Sequence, residues 1–111
     1  QMIIFDHVDL GSYQDEPLMD AGEPFLPNPL RLSDVSQLLT RTGWRAPEIR
    51  EIHDAYIGWY ARLVDKIERA RDQITDTAGQ PGYDHVLGLY QGLLNAALNK
   101  KLGAAIITTT R

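Results

Sequence analysis

The sequence predicts a mainly α-helical domain built around two helices. In residues 47–75, apolar side chains recur every three or four positions, and in residues 83–102 they cover most of a helix's circumference. Glycine and proline separate the two segments. We therefore expect one long helix (about 47–75) antiparallel to a buried helix (about 83–102), with a short helix over 33–42, an irregular N-terminal arm and short strand-like ends.

The long segment has the period of a helix and not that of a strand. Its apolar positions are Ile49, Ile52, Tyr56, Trp59, Leu63, Ile67, Ala70 and Ile74. Pro47 suits the first helical position, where its missing N–H is not needed, and Gly79 supplies a stop. Such a helix would extend roughly 43 Å, which exceeds the diameter of about 34 Å expected for a compact domain of this size. We expect it to curve, project or meet a partner.

Shorter segments complete the predicted fold. Ser33 suits the N-cap of the helix over 33–42, and Gly43 ends that helix. Residues 2–5 and 104–110, near opposite ends of the chain, are strand-like by residue type. Because an isolated two-stranded ribbon is only marginally stable, these ends are expected to pair with each other, across a dimer, or with further sequence of a parent protein.

Charge and proline content divide the chain in two. The first thirty residues hold six acids and no Lys or Arg, and four prolines interrupt residues 11–31. We therefore predict an acidic, Pro-rich arm over 1–32 with a short strand-like start, followed by a helical domain over 33–111. The arm could attract a basic partner, but a solvated loop is the simpler interpretation.

Composition excludes several classes of function. The 111 residues suit one domain with its own core, and the net charge is −4. No cysteine is present, which excludes disulfides, thiolate metal sites and a thiol nucleophile. No apolar run reaches the length of a membrane span and no signal peptide is evident, so we expect a cytoplasmic protein with no membrane partner. The first residue is Gln, from which we expect a processed chain or a piece of a longer protein.

Residues 34–52, DVSQLLTRTGWRAPEIREI, resemble the generic helix-turn-helix pattern. The pattern's core positions and turn glycine fall on Leu38, Gly43, Ile49 and Ile52. The resemblance implies a DNA-binding domain made of the helices over 33–42 and from 47 onward. Its DNA contacts would be Arg41, Arg45 and Arg50.

Two departures weaken the DNA-binding interpretation. Leu39 stands where the pattern has a small residue that lets the helices cross closely. The exposed positions at the start of the second helix are Glu48, Arg50 and Glu51, and no basic stripe continues from them. Two helices packed at an angle explain the same residues, so nucleic acid is the less favoured partner.

Catalytic and metal-binding patterns are weak. Each histidine has an adjacent aspartate, but neighbours in sequence do not face the same way on a helix. The three pairs are Asp6-His7, His53-Asp54 and Asp84-His85. No metal-binding histidine spacing, phosphate-binding glycine loop or nucleophile elbow is present. We predict surface or capping histidines, no catalytic or metal residues and no cofactor.

The favoured function is a non-enzymatic interaction or assembly module that binds itself or another protein. Its predicted contact surface combines a narrow apolar seam with a face of small residues that would let another backbone approach closely. These residues are Ile67, Ala70 and Ile74 on the long helix and Gly88, Gly92 and Ala96 on the buried one. Two alternatives remain: the helix-turn-helix domain, and a helical fragment of a larger enzyme whose chemistry lies outside this chain.

Overall fold

The computed structural model describes residues 1–11, 13, 26 and 28–111. Its elements in chain order are β1 (Met2–Asp9), α1 (Leu32–Arg41), β2 (Glu48–Glu51), α2 (His53–Arg69), α3 (Arg71–Leu98) and β3 (Leu102–Thr109). Of the described residues, 58% are helical and 22% lie in a three-stranded antiparallel sheet. The fold is therefore mixed α/β. The predictions of a mainly α fold and of a helical bundle are wrong, because strands take up both ends of the chain and the start of the expected long helix.

The sheet has the order β1-β3-β2, and β3 is antiparallel to both of its neighbours. Consequently β1 and β2 run parallel to each other. The two ends of the chain pair with each other along their full strands, from Met2 opposite Thr109 to Asp9 opposite Leu102. The last strand in sequence is thus the central strand in space.

Helices cover the two faces of the sheet unequally. On one face, α1 packs through Leu39 against the fully buried β3 residues Ala105 and Ile107. On the other face, α2 and α3 form the larger core with Leu102 and Ala104. That core also contains Tyr13, Tyr56, Tyr60, Val64, Leu93, Leu94, Ala96 and Ala97.

The predicted long helix over 47–75 is divided into three parts. Residues 48–51 are β2, in which Ile49 lies opposite Ile107. A helix from 47 would remove this pairing and leave Ile107 with an apolar cross-strand neighbour on the β1 side alone, so sheet formation overrides the helical spacing. The helix begins at His53, and it breaks at Ala70, which has φ −92° and ψ 15°. The second helix of the proposed helix-turn-helix is therefore a strand at its start.

The predicted buried helix over 83–102 is the second part of α3 and ends at Leu98. Gly79 interrupts α3 with φ 77° and ψ 169°, a conformation that favours glycine. Arg71 lies with its guanidinium carbon 5.6 Å from the centre of the Tyr83 ring. Twelve residues of straight helix would separate these two residues by roughly 18 Å, so the chain folds back at Gly79.

The acidic part of the predicted arm, residues 14–25, lies outside the described residues. Among the helices of the described part, none is both long and apolar enough to cross a membrane.

Candidate functional site

Four tyrosines and a histidine meet where β1 approaches its carboxyl end. We call His7, Tyr13, Tyr56, Tyr60 and Tyr90 the tyrosine–histidine cluster. The His7 ring stands edge-on to Tyr56 with centroids 5.4 Å apart, and Tyr56 stands edge-on to Tyr60 at 4.8 Å. Tyr90, on α3, lies 6.2 Å from Tyr60. These are favourable aromatic geometries, so each ring holds its neighbours in place.

The cluster assembles because one strand, the turn after it and two helices present their rings to one space. Tyr56 and Tyr60 are four residues apart on α2 and therefore share one face of that helix. In β1, His7 lies opposite Ala104, whose methyl side chain leaves room for the imidazole. A turn after β1 adds Tyr13, because the Asp9 carboxylate accepts hydrogen bonds from the backbone N–H groups of Gly11 at 2.7 Å and Tyr13 at 3.3 Å.

His7 connects a carboxylate to a phenol. Its Nε2 lies 3.1 Å from the Tyr60 hydroxyl oxygen, and its Nδ1 lies 3.6 Å from the Asp6 carboxylate. In the tautomer whose Nδ1–H faces Asp6, the Tyr60 hydroxyl donates to Nε2. His7 therefore has a hydrogen bond to Tyr60 on one side and the Asp6 carboxylate nearby on the other, at a distance longer than a hydrogen bond.

Tyr56 carries a buried hydroxyl with no hydrogen-bond partner among the described residues. The residue is only 5% exposed. Burial raises the pKa of the Tyr56 phenol well above its usual value, and the neighbouring Tyr60 adds to the effect. Burial also raises the pKa of Tyr60. Both phenols are therefore neutral at ordinary pH and serve as hydrogen-bond donors rather than bases.

The cluster combines one imidazole with several phenols on neighbouring elements. The imidazole of His7 is the basic group, and the phenols supply donors and flat apolar surface. Within the described part of the chain, no three His, Cys, Asp or Glu side chains could together hold a metal ion.

The other two histidines lie outside the cluster. Nδ1 of His53 accepts the backbone N–H of Ala104 at 3.2 Å, and its Nε2 lies 3.6 Å from the Glu51 carboxylate. His85 is exposed on α3.

The six predicted interface residues do not form one open surface. Ile67, Gly92 and Ala96 are buried within the chain, whereas Ala70 and Ile74 are half-buried. Gly88 is exposed, with no atom within 4 Å of the position that a Cβ would occupy. Only the half-buried pair and Gly88 therefore remain available to a partner.

The three predicted DNA-contact residues, Arg41, Arg45 and Arg50, are all exposed. They lie on different elements: Arg41 ends α1, Arg45 precedes β2 and Arg50 is within β2. The helix that would have carried Arg50 into a DNA groove is a strand.

Sequence reasoning did not connect His7 with the tyrosines of the cluster. The rule that adjacent residues face apart dismissed the Asp6–His7 pair, yet the two side chains approach to 3.6 Å in the strand. The available signal was the spacing of Tyr56 and Tyr60, which by itself also fits an ordinary core.

No protein-family model and no curated protein sequence matches the chain. Among solved structures, it is similar to phosphoethanolamine N-methyltransferase 2 of Haemonchus contortus, in complex with phosphomonomethylethanolamine and S-adenosylhomocysteine. The similarity has a TM-score of 0.77 at 11% sequence identity, and it covers 98% of this chain and 25% of that chain. The likeness establishes a shared fold, and this chain spans about a quarter of the length of that structure's chain.

Proposed function

We propose that this chain is the acceptor-binding part of a methyltransferase-type α/β enzyme domain. The observation that carries the proposal is the tyrosine–histidine cluster at the carboxyl end of β1, within a fold similar to a quarter of a methyltransferase chain. The proposal develops the alternative in which the chain is part of a larger enzyme.

The chemistry of the cluster suits a methyl acceptor. An acceptor nitrogen or oxygen must lose a proton when it gains a methyl group, and His7 is the group placed to receive it. The proton passes to Nε2 of His7 directly or through the Tyr60 hydroxyl, and Asp6 stabilises the resulting imidazolium. Tyr56 is neutral, and its hydroxyl, which has no hydrogen-bond partner among the described residues, donates a hydrogen bond that orients the acceptor.

The methyl donor would be held by other polypeptide. The chain contains no phosphate-binding glycine loop. A bound S-adenosyl donor supplies an activated methyl group, while the residues of this chain bind the acceptor, orient it and take its proton.

The test is an NMR titration of the isotope-labelled chain with phosphomonomethylethanolamine, followed by small amines and alcohols. We expect acceptor-dependent shifts grouped at His7, Tyr56 and Tyr60. The variant Tyr60→Phe should weaken acceptor binding about tenfold, because the hydroxyl that hydrogen-bonds to His7 is lost from the site.

Tyr83→Phe is the matched control, because Tyr83 is equally buried but lies beside Arg71 rather than in the cluster. It should leave the titration unchanged. If none of the compounds shifts the cluster resonances, or if the shifts concentrate elsewhere, the proposed acceptor site is wrong.

A non-enzymatic assembly role is the second candidate, favoured by the exposure of several large apolar side chains. Trp59 on α2 is 53% exposed and Leu98 on α3 is 55% exposed. Light scattering coupled to size-exclusion chromatography should then give a mass above the monomer. Ile74→Asp, at a half-buried seam position, should reduce that mass, and a monomer at high concentration would exclude this role.

A further inference from the structure

β2 is an edge strand, and its outer side carries backbone groups that no other described residue pairs. Ile52, the residue after β2, donates its N–H to the Ala104 carbonyl of β3 at 2.9 Å. In an antiparallel ladder, alternate residues direct both of their backbone groups to the same neighbouring strand. Arg50, two residues before Ile52, therefore also faces β3, whereas the N–H and C=O groups of Ile49 and Glu51 point outward.

The side chains of β2 alternate between the two faces of the sheet in the same way. Ile49 packs into the core on the α1 face. Glu48 and Arg50 therefore point to the opposite face, and both residues are exposed. Among the described residues, neither side chain forms an ion pair. The edge thus presents one acid and one base, two residues apart, on the same face.

The charge pattern of β2 is complementary to itself. Two copies of the strand can pair antiparallel about a two-fold axis, and the outward backbone groups restrict the registers available. With Ile49 opposite Ile49 of the second copy, Glu48 lies opposite Arg50 of the second copy, and symmetry repeats the contact. The two neighbouring registers place Arg50 opposite Arg50 or Glu48 opposite Glu48. Because opposite charges across a strand pair are favourable and like charges are not, the first register is selected.

The edge of β2 lies away from the undescribed part of the chain's N-terminal region. The residues that flank this part contact β1, at the other edge of the sheet. Tyr13 donates its backbone N–H to the Asp9 carboxylate, and Leu30 forms a bridge with Val8. Charged side chains on an edge strand commonly prevent pairing between copies, but on β2 the two signs occupy the positions that self-pairing brings together.

We propose that two copies of this chain associate through β2, with Ile49 opposite Ile49, so that one sheet continues across both copies. Each Glu48 then forms an ion pair with Arg50 of the second copy. The strand has four residues, and Pro47 before it has no N–H with which to extend the ladder. The association is therefore weak, with a dissociation constant on the order of 100 µM. This inference is independent of the proposed function, because β2 and the tyrosine–histidine cluster share no residue.

Analytical ultracentrifugation at low salt, at concentrations above that dissociation constant, tests the proposal. We expect a monomer–dimer equilibrium that weakens as salt is added. Glu48→Arg and Arg50→Glu should each raise the dissociation constant at least about tenfold, because each turns two attractive cross-strand pairs into two repulsive ones. Circular dichroism checks that each variant keeps the fold. Arg62→Glu reverses an exposed charge on α2 and is the control, which should leave the equilibrium unchanged.

A mixture of the two variants in equal amounts is the decisive measurement. In a mixed pair, the basic edge of the Glu48→Arg chain meets the acidic edge of the Arg50→Glu chain. A heterodimer should therefore form at concentrations where neither variant associates alone.

The proposal is overturned if the parent chain stays monomeric at low salt, or if the mixture does. A dimer that survives both charge reversals but is lost in Ile74→Asp would also overturn it, and would assign the contact to the predicted assembly surface. Acceptor-dependent shifts at His7 without a dimer would reject only this inference. A β2 dimer without acceptor binding would reject only the proposed function.

Discussion

The backbone N–H of Ala104 donates a hydrogen bond to Nδ1 of His53 at 3.2 Å, which joins the central strand β3 to the first residue of α2. Ala104 is fully buried. The adjacent Ile52 N–H donates to the Ala104 carbonyl at 2.9 Å. Both backbone groups of one buried residue are therefore satisfied by the junction between β2 and α2. This junction fixes where α2 stands on the sheet, and hence where Tyr56 and Tyr60 meet His7.

His53→Ala should lower the free energy of unfolding by about 1–3 kcal/mol, because the buried N–H of Ala104 loses its acceptor. Urea denaturation measures the change. His85→Ala, at an exposed position of α3, is the control and should stay within about 0.5 kcal/mol of the parent chain. Equal stabilities for the two variants would contradict the role given to His53.

Gly103→Ala should destabilise the fold by about 1–3 kcal/mol, since a Cβ at this position would overlap the His53 imidazole. The same change at Gly88 should have the opposite sign. No atom lies within 4 Å of a Cβ there, and alanine favours a helix over glycine by about 1 kcal/mol. Thermal unfolding of both variants tests the pair, and a stabilised Gly103→Ala chain would show that the His53 packing is wrong.

Tyr56→Phe and Tyr60→Phe should differ although both remove one hydroxyl from neighbouring rings. The Tyr56 hydroxyl has no partner among the described residues, so its removal should be neutral or stabilising. The Tyr60 hydroxyl contacts His7 at 3.1 Å, and its loss should cost about 1 kcal/mol. Chemical denaturation of each variant measures the difference, and the reverse order would refute the assigned contacts.

Stability should fall at alkaline pH because of the buried phenols. The folded-state pKa of Tyr56 is raised above its unfolded value of 10.0, so the folded chain holds this proton more tightly than the unfolded chain does. The resulting contribution to the free energy of unfolding is complete below the unfolded-state pKa of 10.0. It is lost as the pH rises toward the folded-state pKa. Unfolding free energies measured from about pH 8 to about pH 11 should decline, and the decline should be shallower in Tyr56→Phe. Parallel profiles for the two chains would show that Tyr56 is not the cause.

The sequence predicted local features better than the pairing of distant ones. The expected short helix over 33–42 corresponds to α1, Leu32–Arg41, and the break expected at Gly79 is present as a positive-φ kink. The predicted N-cap is wrong, because Ser33 lies inside α1, whose N-cap Arg31 makes no side-chain capping hydrogen bond. The kink at Gly79 was predictable because glycine acts over a few residues. The strand-like ends were recognised by residue type, but their place in a three-stranded sheet was not.

The strand β2 shows why the remainder was not predictable. Glu48, Arg50 and Glu51 are exposed and fit a helix well, and Ile49 and Ile52 have helical spacing. Their strand conformation is imposed by β3, more than fifty residues further along the chain. Similarly, α2 ends at Ala70 although no glycine or proline there marks a helix end in the sequence. The tyrosine–histidine cluster depends on the same long-range pairing, so it could not be found before the sheet was known.

The position of β3 has a consequence for how the protein is made. Of the three strands in the described part of the chain, β3 comes last in sequence, yet it is the strand with which both β1 and β2 pair. During synthesis, the apolar side chains of β1 therefore remain without their β3 partners until nearly a hundred further residues have emerged from the ribosome. A nascent chain that stalls before Leu102 would lack the strand that joins β1 to β2, and would leave the β3-facing edge of β1 open to chaperones or to aggregation.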